Sequence, residues 1–162
     1  MKKAWWVVVV LVLAATNADA QLALRGGVGA ILDPTQYGGH VSLVLPFGSR
    51  PGGVMLAGEY YKESGRTTMP LSIRGLYKAS GETASIYLGA GSGIIYVKDD
   101  NPALTLLKLS ETKMLFSAVV GLNFKFSGPL GIFGEGTLDR ALTSGAKNNW
   151  AAKAGVSLTV SD

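Results

Sequence analysis

The sequence predicts an all-β fold, an eight-stranded antiparallel up-and-down transmembrane β-barrel, and three observations predict it. Apolar and polar residues alternate with period two over eight successive stretches, each near ten residues or longer. The apolar half of that alternation carries almost no charge. A short leader precedes the first stretch and marks the chain for export.

The leader spans residues 1–20. Lys2 and Lys3 give it a positive start, Trp5 through Ala15 form an apolar run, and Ala18-Asp19-Ala20 is a small-residue cleavage site. The run is too short for a spanning helix, which needs about 20 residues. A signal peptide is therefore expected over 1–20, with the mature domain covering 21–162.

The strands are expected at about 22–32, 37–47, 53–63, 67–78, 83–97, 111–126, 130–139 and 149–160. A strand of about ten residues, rising about 3.3 Å per residue and tilted about 45°, crosses the apolar layer of a bilayer. Gly48-Ser49-Arg50-Pro51-Gly52, Ala79-Ser80-Gly81-Glu82 and Ser127-Gly128-Pro129 read as tight turns. Lys98–Ser110 and Arg140–Asn148 read as longer loops at the opposite end. Short turns on the periplasmic side and longer loops outside are the outer-membrane arrangement.

Each strand has two unlike faces. Strand two sets Tyr37, Val41, Leu43, Leu45 and Phe47 against His40 and Ser42; strand six sets Met114, Phe116, Val120, Leu122 and Phe124 against Ser117, Gly121 and Asn123. In a soluble barrel the apolar face fills the inside, whereas in a membrane barrel it meets lipid. The smooth apolar face favours the second. So do its aromatics, which fall near strand ends as a girdle at the membrane–water boundary: Tyr37, Phe47, Tyr60, Tyr77, Tyr96, Phe124, Phe126 and Trp150. Strand five is the least regular, because Ile94, Ile95 and Tyr96 blur its phase.

The polar face then lines the interior, with an expected network of Arg25, His40, Glu59, Arg74, Glu135 and Lys153. Ser42, Tyr61, Tyr87 and Asn123 share it, as do several glycines that make room for long side chains or ease tight coiling of the strands. Buried charges must pair or stay hydrated, so Glu59 and Glu135 are expected to contact Arg25, Arg74 or Lys153. The network reads either as a static polar plug or as the lining of a narrow ion path. An eight-stranded interior is just wide enough for side chains to fill, which favours the plug.

Composition narrows the chemistry. The 162 residues include 22 Gly and no Cys, which excludes a disulfide scaffold, a cysteine metal site and a thiol nucleophile. A single His excludes a multi-histidine metal centre. Without the leader the chain holds 13 basic and 10 acidic residues, a dispersed net charge of +3 that gives nucleic-acid binding no support. His40-Val41-Ser42 places a His and a Ser on one strand face, with Glu59 as an acid on the neighbouring strand, but no oxyanion site accompanies them. Asp99-Asp100-Asn101-Pro102 reads as a solvated turn rather than a cation site, since calcium ligands alternate along the chain. No phosphate-binding glycine motif is present, and no cofactor or metal is expected.

In this pattern the chain resembles the small eight-stranded outer-membrane β-barrel proteins of Gram-negative bacteria, the OmpA/OmpX-like type. The likeness covers leader, strands and turns, with stretches such as Val119-Val120-Gly121-Leu122-Asn123-Phe124 and Ala154-Gly155-Val156-Ser157-Leu158. It implies an integral outer-membrane protein with a structural or surface-interaction role and no enzymatic activity. It also implies outer-membrane lipid and the barrel-assembly machinery as partners, and surface contacts through loops 98–110 and 140–148. In that family the last strand usually ends in an aromatic residue; here it ends Leu158-Thr159-Val160 before Ser161-Asp162. The lipid A deacylase barrels resemble this size and use a His-x-Ser pair, but theirs lies near the C-terminal end on the lipid-facing surface. The remaining alternatives are a narrow ion-conducting pore and a soluble periplasmic lipocalin-like barrel binding an apolar ligand. Loop 98–110, with Leu104, Leu106, Leu107 and Leu109, reads as an extended hairpin continuing strands five and six, with a docking surface for a partner as the alternative.

Overall fold

The computed structural model describes residues 22–47, 51–63, 65–81, 83–99, 109–126 and 128–160. The expected signal peptide over 1–20 and Asp100 with residues 101–108 of the long loop lie outside the described residues.

Alternation sets the local structure. The strands are β1 (Leu22–Leu32), β2 (Thr35–Pro46), β3 (Gly52–Glu63), β4 (Arg66–Ser80), β5 (Ala84–Asp99), β6 (Leu109–Lys125), β7 (Leu130–Ala141) and β8 (Asn148–Val160). Each pairs antiparallel with its sequence neighbour, and β1 pairs with β8 to close an eight-stranded barrel. Closure leaves no open sheet edge, which a chain surrounded by lipid requires. Three connections use a left-handed glycine: Gly65 at φ 82° between β3 and β4, Gly128 at φ 76° between β6 and β7, and Gly145 at φ 74° between β7 and β8.

The strands run further than their alternation suggests at the loop end. β5 and β6 stay paired as far as Asp99 and Leu109, so Lys98 belongs to a strand. The expected loop 140–148 shortens to 142–147, because β7 continues through Ala141 and the Leu142 amide donates to the Met114 carbonyl at 2.8 Å. Backbone pairing does not require an apolar face, so it persists where the hydropathy signal stops.

Register puts the two faces where the alternation predicts. Val28, Val41, Leu71, Leu88, Val120 and Val156 point outward and are exposed, while Arg25, Ser42, Arg74, Ser117 and Lys153 point inward and are buried. A soluble barrel around an apolar ligand cavity needs the reverse, so the lipocalin-like alternative fails on the direction of its side chains. In β5 the blurred phase resolves with Ile95 inside and Ile94 outside.

Inside, the strands approach too closely for side chains at some positions. Gly27 and Gly155 are register partners, and a Cβ on Gly155 would lie 2.6 Å from the Gly27 Cα. Only glycine permits that approach, and it tightens the curl where the last strand meets the first.

Candidate functional site

The site is the polar interior at mid-height. Its ion-paired cluster draws side chains from six of the eight strands, delivered inward by alternation and brought to a common level by the stagger between strands.

Glu59 on β3 is the hub. One carboxylate oxygen accepts from Arg74 Nη2 on β4 at 3.2 Å and also from Lys153 Nζ on β8. The other accepts from the Tyr61 hydroxyl at 2.9 Å. Arg74, fully buried, donates through Nε to Ser117 Oγ at 2.7 Å, and its Nη2 lies 3.7 Å from Asp139. Ser117 in turn donates to Asp139. Lys153 Nζ lies 3.6 Å from Glu135, whose other oxygen accepts from the Tyr87 hydroxyl at 2.8 Å. The chain Asp139–Ser117–Arg74–Glu59–Lys153–Glu135–Tyr87 therefore crosses the lumen without a break.

The charges balance. Glu59, Glu135 and Asp139 are opposed by Arg25, Arg74 and Lys153, all buried. A buried charge is tolerated when paired and hydrogen-bonded, and Glu59 and Arg74 meet both conditions.

Of the six interior residues the sequence singles out, Glu59, Arg74, Glu135 and Lys153 come together as one ion-paired cluster. Arg25 does not reach a carboxylate. Its guanidinium lies over the Tyr87 ring at 4.4 Å and near the Phe133 ring at 5.4 Å. The aromatic faces substitute for the anion. His40 joins no hydrogen bond; its ring packs edge-on against Phe133 at 5.3 Å. Ser42 Oγ likewise has no protein partner, and the Glu59 carboxylate is held by Arg74, Lys153 and Tyr61. His40, Ser42 and Glu59 are therefore not assembled as a nucleophile, base and orienting acid.

Two members of the cluster escaped the sequence reading. Ser117 appears there only as a face marker, and Asp139 sits at the expected end of strand seven. The signal for Asp139 was present, because Glu135, Thr137 and Asp139 alternate onto one face.

The expected girdle residues occupy the outward face. Tyr37, Phe47, Tyr60, Tyr77, Phe124 and Trp150 are exposed there, and Tyr96 is half-buried. Tyr37, Tyr60, Tyr96 and Trp150 lie toward the loop end, with Phe47, Tyr77 and Phe124 toward the other. From Met114 to Phe124 is ten residues, about 33 Å along the strand and about 23 Å in height at a 45° tilt. At the loop end, Asp99 faces Arg66 at 3.9 Å, and Glu111 pairs with Lys113 at 2.5 Å.

No protein-family model matches the sequence, and neither does any curated protein. Solved structures do match in fold. The chain is similar to Neisserial surface protein A, with a TM-score of 0.67 and 10% identity over 88% of this chain and 98% of that one. It is similar to the N-terminal β-barrel domain of Pseudomonas aeruginosa OprF, with a TM-score of 0.63 and 17% identity over 88% and 98%. A major outer membrane protein from Thermus thermophilus aligns with a TM-score of 0.60 and 13% identity over 87% and 99%. The fold is that of the eight-stranded outer-membrane barrels.

Proposed function

We propose that this chain is an integral protein of the bacterial outer membrane, exported by its leader, with a structural or surface-contact role and no catalytic activity. The observation that carries this reading is the outward face. Large apolar or aromatic side chains such as Leu24, Val41, Tyr60, Leu71, Leu88, Val120, Ile132 and Val156 stay exposed, one from each strand around the barrel. Monomeric soluble proteins rarely expose contiguous apolar patches beyond a few hundred Å², and a belt closing on itself needs lipid as its solvent.

The interior is read as a plug. Arg74, Tyr61, Tyr87, Met55 and Leu115 are fully buried, and the ion-paired chain spans the space between the walls. Such a network pairs the charges at the centre of the barrel, leaving partner contacts to the loops at the 98–110 and 140–148 end.

The test is fractionation of expressing cells, followed by gel migration of the detergent-extracted protein with and without boiling. Recovery in the outer membrane with a migration shift on boiling is expected. Recovery as a soluble periplasmic protein would sink the reading.

A further inference from the structure

Among the described residues, the charged side chains that alternation turns outward from the strands are Lys62, Lys98 and Arg140, all basic and all at the loop end. The acidic residues at that end, Glu63, Asp99, Glu111 and Asp139, take the inward alternation. Lys62 and Lys98 stand two residues beyond Tyr60 and Tyr96, one step past the aromatic layer. They also share one row: Lys62 pairs with Thr67, Thr67 with Lys98, and Lys98 with Ser110. Two strand spacings separate the lysines, about 10 Å, a gap that two lysine side chains can close on one anion.

Directly below Lys62 and Thr67 on the same strands, a shallow groove of about 510 Å³ opens on the outer wall. Its sides are Tyr60, Met69 and Leu71, and Gly39 and Gly58 leave its floor without side chains. A Cβ on Gly58 would meet only the Leu71 Cδ1 at 3.8 Å, so the floor is open for want of a side chain and not for want of room.

We infer that the row and the groove form one binding site for a phosphorylated acyl lipid of the outer leaflet. Lys62 and Lys98 hold the headgroup phosphate, the exposed Ser110 hydroxyl donates to it, and an acyl chain lies in the groove over Gly58. The chemistry selects this occupant. Cations just beyond an aromatic layer lie at headgroup depth, where anionic lipid is attracted and carboxylates would repel it. A smooth wall would contact acyl chains without preference, whereas a groove beneath the phosphate contacts favours one molecule joining both. The site rests on the membrane-spanning reading above.

The test uses the full mature chain in phosphatidylcholine vesicles doped with a minor fraction of spin-labelled lipid A, either bis-phosphorylated or dephosphorylated. Wild type is expected to immobilise the phosphorylated form preferentially. Lys62→Gln with Lys98→Gln should lose that preference by about fivefold per lysine at low salt, while Lys147→Gln in the loop retains it. Gly58→Leu should reduce immobilisation of both forms, and Lys62→Arg should restore the preference lost in Lys62→Gln. Equal immobilisation of the two lipids by wild type, or an unchanged preference in the double variant, overturns the phosphate site. An effect of the lysines without one of Gly58→Leu overturns the acyl seat. Failure of the wild type to insert, seen as migration insensitive to boiling, would remove the membrane reading and the site together.

Discussion

The ring of Tyr87 occupies the space where a side chain at position 121 would begin. A Cβ on Gly121 would collide with the Tyr87 Cζ and hydroxyl oxygen, while that hydroxyl donates to Glu135 at 2.8 Å. Tyr87, Gly121 and Glu135 are register neighbours on β5, β6 and β7. Gly121 is thus the floor that lets the phenol reach a carboxylate two strands away.

Gly121→Ala should therefore cost about 1–3 kcal/mol, the usual range for overpacking a filled interior. Urea unfolding from lipid vesicles measures it. In a Tyr87→Ala background part of the cost should vanish, because the ring is gone and only the Gly134 carbonyl oxygen, 2.9 Å from that Cβ, still stands in the way. An undiminished penalty there would show that the close approach to the Gly134 backbone, and not the Tyr87 ring, demands glycine at 121. Gly58→Ala on the outer wall should be near neutral, since its Cβ meets only Leu71 at 3.8 Å.

Glu59 accepts from Arg74, Lys153 and Tyr61, so its loss leaves Arg74 and Lys153 only the more distant Asp139 and Glu135 carboxylates, at 3.7 and 3.6 Å. Glu59→Gln should cost about 3–5 kcal/mol, the range for removing one partner of a buried ion pair. Adding Lys153→Met should recover part of that loss, because one unpaired charge disappears with it. A double variant no more stable than Glu59→Gln alone would mean that Lys153 is already satisfied by Glu135.

The outward and inward faces were legible in the sequence because alternation alone decides them. Which interior residues meet was not, and Arg25 shows why. Period two places Arg25, Glu59 and Glu135 on one surface, but the stagger between strands decides which stand level across the lumen. The stagger sets Arg25 against the Tyr87 and Phe133 rings and gives both carboxylates to Lys153. Strand ends were blurred for a related reason. Lys98 and Arg140 lie past the apolar band, where pairing continues but hydropathy no longer marks it, and Asp139 was overlooked at that same boundary.

The direction of the apolar face can be tested by depth. Val120 lies near the middle of the outward side of β6, and Ser110 lies at its loop end on the same side. If lipid surrounds the barrel, Val120→Arg should cost about 2–4 kcal/mol and Ser110→Arg about 0–1 kcal/mol. Refolding into vesicles, followed by urea titration, reads both. Equal small penalties would indicate that water bathes the outward face, and the membrane placement would have to be abandoned.

The plug and the ion path make opposite predictions in planar bilayers. Arg74, Tyr61, Tyr87, Met55 and Leu115 are each no more than 1% exposed inside the barrel. An eight-stranded interior is just wide enough for side chains to fill, and under the plug proposed above these five close it. Purified wild-type protein should therefore show no conductance steps. Glu59→Gln and Arg74→Gln should stay silent as well: each removes a charge while leaving a side chain in the lumen, and a single ion pair does not hold the wall shut. Steps in the wild type whose amplitude shifts in either variant would instead identify Glu59 and Arg74 as the lining of a conducting path. The distinction turns on packed volume, because charge lines both arrangements equally well.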